Sequence, residues 1–408
     1  MMATTSTDLF ARLLRAFKKG LVTLAQAGFI AAILPVLYAF ELFRPVRIRD
    51  LRTDRIGGLI GGAEVFLRRK QLGLLPDGPL YLFIATRFIA NEFAVEMCKR
   101  HINVIVNPIL ARLYPAIFPV LRRTRFFLPV NLLTNDYVEF LRGKPALSFT
   151  EDEERRGREM LRQMGIGPDD WFVCFHSRDP AYLEKAGEWS AMDWSYHDYR
   201  DCSVESYLKA AKYISSQGGF AIRVGAIVDK PLPELADSRI VDYATRFREP
   251  FMDIYLAAKC KFFLGNTAGL FVAAQVFDRP VACANFVPID ASPFGKNSFM
   301  IYKKIWSNRL GRHLSYPEAF ELGLGKAYFS KQYLSHDLRC DENTDEEILD
   351  FAVEVNEILD KKREVNPQTQ EAFLSLVNKY ASHIVGTPVV MGSSFILKNS
   401  GLFQTKNA

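Results

Sequence analysis

Cysteine is scarce in this chain of 408 residues. There are six, Cys98, Cys174, Cys202, Cys260, Cys283 and Cys340, and no two of them stand as C-x-x-C. That absence argues against a zinc framework, and the low count fits a reduced, cytosol-facing compartment. Cys174 and Cys283 lie inside apolar, strand-like runs, where a thiol acts as a small hydrophobe. Long low-complexity tracts and internal repeats are missing too. The glycine-rich stretch at 55–62 does not fit G-x-G-x-x-G and lacks the Lys-Ser/Thr of a P-loop, so neither nucleotide fingerprint is present there. No Asp-x-Asp stands at a strand end, which leaves no metal signature.

What is present is the profile of a folded protein: 49% apolar and 24% charged residues. The length favours two domains. A net charge of +6 suits an anionic partner, and nucleic acid, anionic lipid and a nucleotide substrate all qualify.

Charge is absent altogether from residues 21–40, "LVTLAQAGFIAAILPVLYAF". Twenty such residues are about the minimum for a spanning helix. Arg12, Arg15, Lys18 and Lys19 precede them, and Arg44, Arg47, Arg49, Arg52 and Arg55 follow, so the flanks set no orientation. Thr23, Gln26 and Pro35 weaken a spanning reading. The expectation is a membrane-associated segment over 1–44, in-plane or spanning; the alternative is a buried first helix.

Beyond it, strand and helix alternate. Strands are predicted at 46–52, 80–86 and 102–108, with a glycine-rich turn opening a helix at 56–70 and a helix at 91–101. This makes a first α/β domain over 45–150. A capping box, Thr150 with Glu153, opens a helix that closes near Gly165 and Gly167. A second alternating series, over 151–340, has strands at 171–175, 219–225, 239–244, 261–266 and 280–289. Two such series predict parallel sheets and two Rossmann-like domains facing a cleft. Helices and a tail over 341–408 finish the chain.

Ligands of open α/β sheets bind beyond the carboxyl ends of strands. The first strand of the second series ends in His176-Ser177-Arg178-Asp179. Arg178 can pair with Asp179 or grip a diphosphate through its bidentate fork. His176 is either a satisfied core histidine or a contact to a leaving phosphate or acceptor hydroxyl. Arg223 and Gly225 end the next strand, and Arg223 resembles Arg178 in position. "GNTAGL", 265–270, ends the fourth, where Gly265 and Gly269 allow a tight turn and Asn266 or Thr267 can cap the new helix. The free amides of such a helix start favour phosphate; a plain strand–helix turn is the alternative. The long loop 184–207 carries Trp189, Trp194, Tyr196 and Tyr199, whose rings could stack on a sugar or base or simply pack the loop. In the first domain Arg55, Gly57 and Gly58 form the wall expected to face the second substrate, with Glu64 one turn further on.

The segments "RIGGLIGGAEVFLRR", "FVCFHSRD", "YRDCSVESYLKAAKYISSQGGFAIRVG" and "FFLGNTAGLFVAAQVFDRPVACANFVPI" together resemble a bacterial family of glycosyltransferases with the GT-B fold, tied to surface polysaccharide loci. The resemblance covers roughly residues 45–330. It departs at Gly58, where the family often has histidine. The H-x-R of 176–178 is also similar to the donor motif of GT-B fucosyltransferases, which implies that Arg178 binds a nucleotide's diphosphate. The implied protein is an α/β enzyme of GT-B type moving a sugar from a nucleotide-sugar donor to a lipid-linked or polysaccharide acceptor. No metal, no cofactor and no nucleic acid are expected, and the cytoplasmic face of the bacterial inner membrane is the expected place. Candidate bases are His176, Asp179 and Glu64; candidate donor-binding residues are Arg178, Arg223, Gly225, Asn266, Thr267 and Gly269. A nucleotide-sugar epimerase or hydrolase of the same fold, and a scaffold without chemistry, are the alternatives.

Overall fold

The computed structural model describes residues 5–130, 137–182, 195–234 and 236–404. Two compact units make up the chain, 1–133 and 134–408. Both are α/β with parallel sheets.

The first unit begins with a long helix. α1 (Thr5–Gly28) continues through a π-helical turn, Phe29–Ile33, into α2 (Leu34–Glu41). Pro35 has no N–H to give and its ring crowds the carbonyl four residues back, so the helix widens there rather than breaking. It is not a core helix: only 6% of its most apolar window is buried. Three parallel strands follow in the order β1 (Val46–Leu51), β2 (Leu80–Ala85) and β3 (Asn103–Ile105). The free edge of β1 is extended by 126–128, with Ile48 N–H donating to Phe126 O at 2.7 Å and Leu128 N–H to Ile48 O at 3.1 Å.

α3 (Ile56–Gln71) corrects one expectation. Gly57, Gly58, Gly61 and Gly62 do not form a turn; all four are helical. Each glycine costs a helix about 1 kcal/mol against alanine. Close packing explains the choice at Gly58, where an added Cβ would stand 3.0 Å from Arg52 Cβ and 3.3 Å from Arg52 O. α4 (Glu92–Lys99) and α5 (Pro108–Leu121) start at Asn91 and Asn107, whose side chains accept the first free amides.

The second unit holds seven parallel strands in the order β13-β9-β8-β7-β4-β5-β6. They are β4 (Phe172–Phe175), β5 (Phe220–Arg223), β6 (Ile240–Asp242), β7 (Phe263–Gly265), β8 (Val281–Phe286), β9 (Ser298–Tyr302) and β13 (Val389–Met391). Every residue of β4 to β9 is buried, as a sheet covered on both faces requires. A small antiparallel sheet, β11 (Arg312–His313), β10 (Lys304–Ser307) and β12 (Leu338–Asp341), had no counterpart in the pattern expected from sequence. The C-terminal region is also more than helices and tail. Asp345–Leu359 and Pro367–Tyr380 are helical, but β13 then pairs parallel to β9 and becomes the sheet edge. Buried Glu354 takes the amides of Ser393 and Ser394, at 2.9 and 3.2 Å, and so opens the last helix, Ser393–Lys398.

Two short helices, α6 (Tyr137–Arg142) and α7 (Glu151–Gln163), lead into the sheet. α7 has the expected capping box: Thr150 Oγ1 accepts from Glu153 N and Glu153 Oε2 accepts from Thr150 N. Gly157 of α7 lies against the ring of Tyr255, and a Cβ there would come within 2.2 Å of its Cζ. Gly157→Ala therefore pits about 1 kcal/mol of helix propensity against overpacking that costs about 1–3 kcal/mol. Net destabilisation is expected in urea melts; an alanine variant as stable as the parent would mean that Tyr255 moves aside freely.

Candidate functional site

Strand order in the larger sheet reverses once. From β4 the chain moves outward to β5 and β6, then crosses back to lay β7, β8 and β9 on the other side of β4. A crevice opens outside the carboxyl ends of strands at such a switch point, which here is the β4/β7 pair. His176 to Asp179 leave β4 there and Asn266 to Gly269 leave β7.

His176 is still in the ladder, its N–H donating to Leu264 O at 2.9 Å. Its side chain is half-buried, and Nδ1 lies 2.9 Å from Val224 O. A carbonyl can only accept, so Nδ1 carries the proton and Nε2 the lone pair. Burial pushes the imidazole below its ordinary value of 6.5, against the opposing effects of the Val224 carbonyl and Asp179; Arg223 and Arg178 push the same way as burial. The ring is thus neutral at pH 7, and Nε2 has no hydrogen-bond partner among the described residues. Gly225 is small because of Val228, whose Cγ1 would stand 2.9 Å from a Cβ there; His176 Nδ1, at 3.7 Å, would be in ordinary contact.

Arg178 pairs with Asp201, not with the neighbouring Asp179, and its Nη1 also donates to His197 O at 3.3 Å. Asp179 is taken up locally: Oδ1 accepts from Ala181 N at 2.9 Å and Oδ2 from Asp229 N at 3.3 Å.

Asn266 does not cap a helix. It is fully buried; Oδ1 accepts the Arg178 amide at 3.1 Å and Nδ2 donates to Arg200 O at 2.9 Å. Thr267 Oγ1 accepts from Val287 N at 3.0 Å, tying the end of β7 to the end of β8. The following helix, Leu270–Val276, is capped by exposed Gly269, with φ −68° and no side-chain bond. Gly265 has no positive φ either; it is small because Phe263 Cε1 would stand 2.8 Å from a Cβ and His176 O 3.3 Å from it.

Two sequence candidates are committed elsewhere. Arg223 is buried, and Nη1 donates to Lys230 O at 2.7 Å and lies 3.5 Å from Asp242 Oδ2. The two residues are cross-strand partners on β5 and β6, so register makes the pair. Glu64 is fully buried in α3 and bound to Arg68 at 2.7 Å. Arg55 is the N-cap of α3, with Gly57 and Gly58 in its first turn. Trp189 and Trp194 lie outside the described residues.

Sequence reading missed Lys303 and Asp290. Lys303 is buried just after β9 and Nζ donates to Asp201 O at 2.6 Å. With Asn266 on Arg200 O and Arg178 O accepting Cys202 N at 3.0 Å, it straps residues 200–202 across the end of β4. A lysine closing the apolar run "SFMIY" was the available signal. Asp290, buried beyond β8, has its carboxyl pushed up by burial, while His383 and Lys326 act the other way. Among the described residues no three His, Cys, Asp or Glu side chains cluster to hold a metal.

No family model matches the chain, and no curated protein matches it in sequence. Solved structures do align. The Escherichia coli ADP-heptose lipopolysaccharide heptosyltransferase II is 13% identical with a TM-score of 0.39, over 78% of this chain and 99% of that one. A glycosyl transferase of family 9 from Veillonella parvula is 10% identical with a TM-score of 0.44, over 78% and 98%. The iron-containing dodecameric glycosyltransferase TibC of enterotoxigenic E. coli is 11% identical with a TM-score of 0.38, over 79% and 81%.

The Asn266 carboxamide gives a test of this geometry. Asn266→Ala leaves a buried amide and a buried carbonyl unpaired, so a loss of about 1–3 kcal/mol is expected for each group left without a partner. Asn266→Asp keeps the acceptor for Arg178 but sets an oxygen against Arg200 O, and should be at least as harmful. Denaturant midpoints check both; a stable aspartate variant would show that Nδ2 holds nothing.

Proposed function

We propose that the chain is a metal-independent glycosyltransferase of GT-B type. It moves a sugar from a nucleotide-sugar donor to a lipid-linked or polysaccharide acceptor at the cytoplasmic face of a bacterial inner membrane. The observation that carries this reading is a neutral imidazole with an open lone pair beside a fixed guanidinium, both at the switch point of a parallel sheet.

Sugar transfer makes two demands. The acceptor hydroxyl must lose its proton as its oxygen bonds the anomeric carbon, and the bond from that carbon to the donor phosphate must break with its electrons going to the diphosphate. His176 Nε2 receives the proton. Arg178, held at the edge by Asp201, meets the charge on the leaving diphosphate, and fixed charge of this kind is worth several kcal/mol of barrier. The Asn266 and Thr267 side chains are already bonded and the Ala268 amide is given to Asn266 O at 2.7 Å, so the backbone amides of Thr267 and Gly269 would be the ones offered to the donor. Asp179 is the weaker base because both its oxygens hold amides. Arg223 and Gly225 support His176 and the loop after β5 rather than touching the donor. Arg55, Gly57 and Gly58 are assigned to the acceptor.

Calorimetry with UDP, GDP, ADP, CMP and dTDP tests the donor site. Arg178→Ala should weaken nucleotide binding by about 1.5–3 kcal/mol, the scale of charge-assisted bonds; unchanged affinity removes the assignment. His176→Ala should leave affinity near the parent's and lower turnover by about 10²–10⁴. Because burial holds the imidazole below 6.5, its base form persists to lower pH, and the acid limb of kcat/KM should lie below 6.5. An acid limb above that value would exclude His176 as the base. Donor consumed equally fast without acceptor would favour a hydrolase or epimerase, and no consumption with any acceptor would favour a scaffold.

A further inference from the structure

The long N-terminal helix is long and apolar enough to cross a membrane: Ala16–Glu41, 26 residues, mean hydropathy 2.0. Its second half is nevertheless engaged with protein. Gln26 Nε2 donates to Ala116 O at 3.0 Å on α5. Phe29 is 4% exposed in a cluster with Tyr114, Ile117, Leu121 and Phe126, and Leu34 and Leu37 pack against it. Tyr38 meets Phe126 edge-on with ring centroids 4.9 Å apart, and Glu41 is bonded by Arg47 at 2.8 Å and by Arg125. Of the uncharged stretch 21–40, only residues 21–25 lie between Lys19 and the first of these contacts. At 1.5 Å per residue they reach about 8 Å, well short of a hydrocarbon core of about 30 Å.

Beyond Lys19 the helix exposes apolar side chains as far as Val36, and Phe17 precedes them. Phe17 is 67% exposed, Leu24 70%, Ile33 43% and Val36 64%. A helix with protein on one side and an apolar stripe on the other suits the plane of an interface. Beside it, α5 leaves Ile109 67% and Leu113 41% exposed, four residues apart and so on one helical face. Lys18, Lys19, Arg112, Arg122 and Arg123 are exposed on the same two elements and the turn after α5, with no ion-pair partner among the described residues. Anionic headgroups would supply the counter-charge.

We propose that this face is a seat for a single leaflet of an anionic bilayer, made by the N-terminal helix and α5 together, and that the chain does not cross the membrane. The inference rests on the membrane reading above. The occupant is lipid rather than protein because the apolar stripe is continuous with a segment of membrane-grade hydropathy and is edged by unpaired cations.

The test uses the full chain with an epitope tag at each end. Binding is measured on vesicles of phosphatidylethanolamine with one-third phosphatidylglycerol, and tag accessibility on inverted membranes from expressing cells. Expected are co-sedimentation, both tags cleaved from the same side, and at least a tenfold loss of bound protein in Ile109→Asp/Leu113→Asp. Leu24→Asp, at a site with nothing packed over it, should lose binding too and guards against misfolding of the double variant; thermal midpoints check both. A protein soluble without detergent and indifferent to vesicles overturns the membrane reading itself. A bound protein with its N-terminal tag on the opposite side overturns the single-leaflet seat and leaves membrane binding intact. Same-side tags with a fully bound, folded Ile109→Asp/Leu113→Asp variant would remove α5 from the seat.

Discussion

The candidate site depends on one buried carboxamide. Asn266 leaves β7, takes the amide of Arg178, three residues past the end of β4, and gives its own N–H to the carbonyl of Arg200. Three segments that are far apart in sequence meet on one side chain. Neither a carboxylate nor an amine could do this, because one partner is a donor and the other an acceptor. Once Arg178's backbone is placed, its guanidinium falls to Asp201, whose carbonyl is fixed by Lys303. The arginine's backbone is thus set by a neutral hydrogen bond, and its guanidinium by the ion pair with Asp201.

Charge at this edge is divided by depth. Arg223 and Asp242 face each other across β5 and β6 with almost no exposure, and breaking such a pair strands a buried charge, typically at a cost of about 3–5 kcal/mol. That arginine belongs to the fold. Arg178, one strand over and past the ladder's end, keeps a side chain that is 12% exposed. His176 sits between them, and burial together with the two guanidiniums disfavours its protonation. A neutral imidazole beside a cation is consistent electrostatically, since each guanidinium lowers the ring's proton affinity while leaving its lone pair in place.

Much of this was legible because the signals were local. Capping at Thr150, the apolar run into His176, and the alternation of strands and helices each depend on a few adjacent residues. Partner choice was not legible. Arg178 has Asp179 beside it in sequence, but successive residues leave a strand on opposite sides, and Asp201 comes from another loop. Arg223 looked like a second phosphate clamp because β6 and its Asp242 are placed only by the sheet's register. The glycines of α3 read as a turn because propensity favours one; close packing on Arg52 overrides it. β13 was unreadable for a different reason: three residues, Val389–Met391, form a strand only because β9 offers them an edge.

The N-terminal helix shows the same limit in a sharper form. Regular helical spacing from Phe29 would place Ile33 on the core face, yet Ile33 is 43% exposed and Leu34 packs inward instead. The π-helical turn over Phe29–Ile33 adds one residue to that turn, so the inward positions run 26, 29, 34, 37 with a step of five in the middle. Pro35, which argued from sequence against a straight spanning helix, is the residue whose missing N–H accommodates the wider turn. Without that phase shift the residues after Ile33 would present their inward side about one position out of step, and Leu34, Leu37 and Tyr38 could not all meet the cluster around Phe126. The uncharged stretch that hydropathy reads as one continuous span is therefore two half-helices in different phase, joined so that a single side stays on the protein from Gln26 to Glu41.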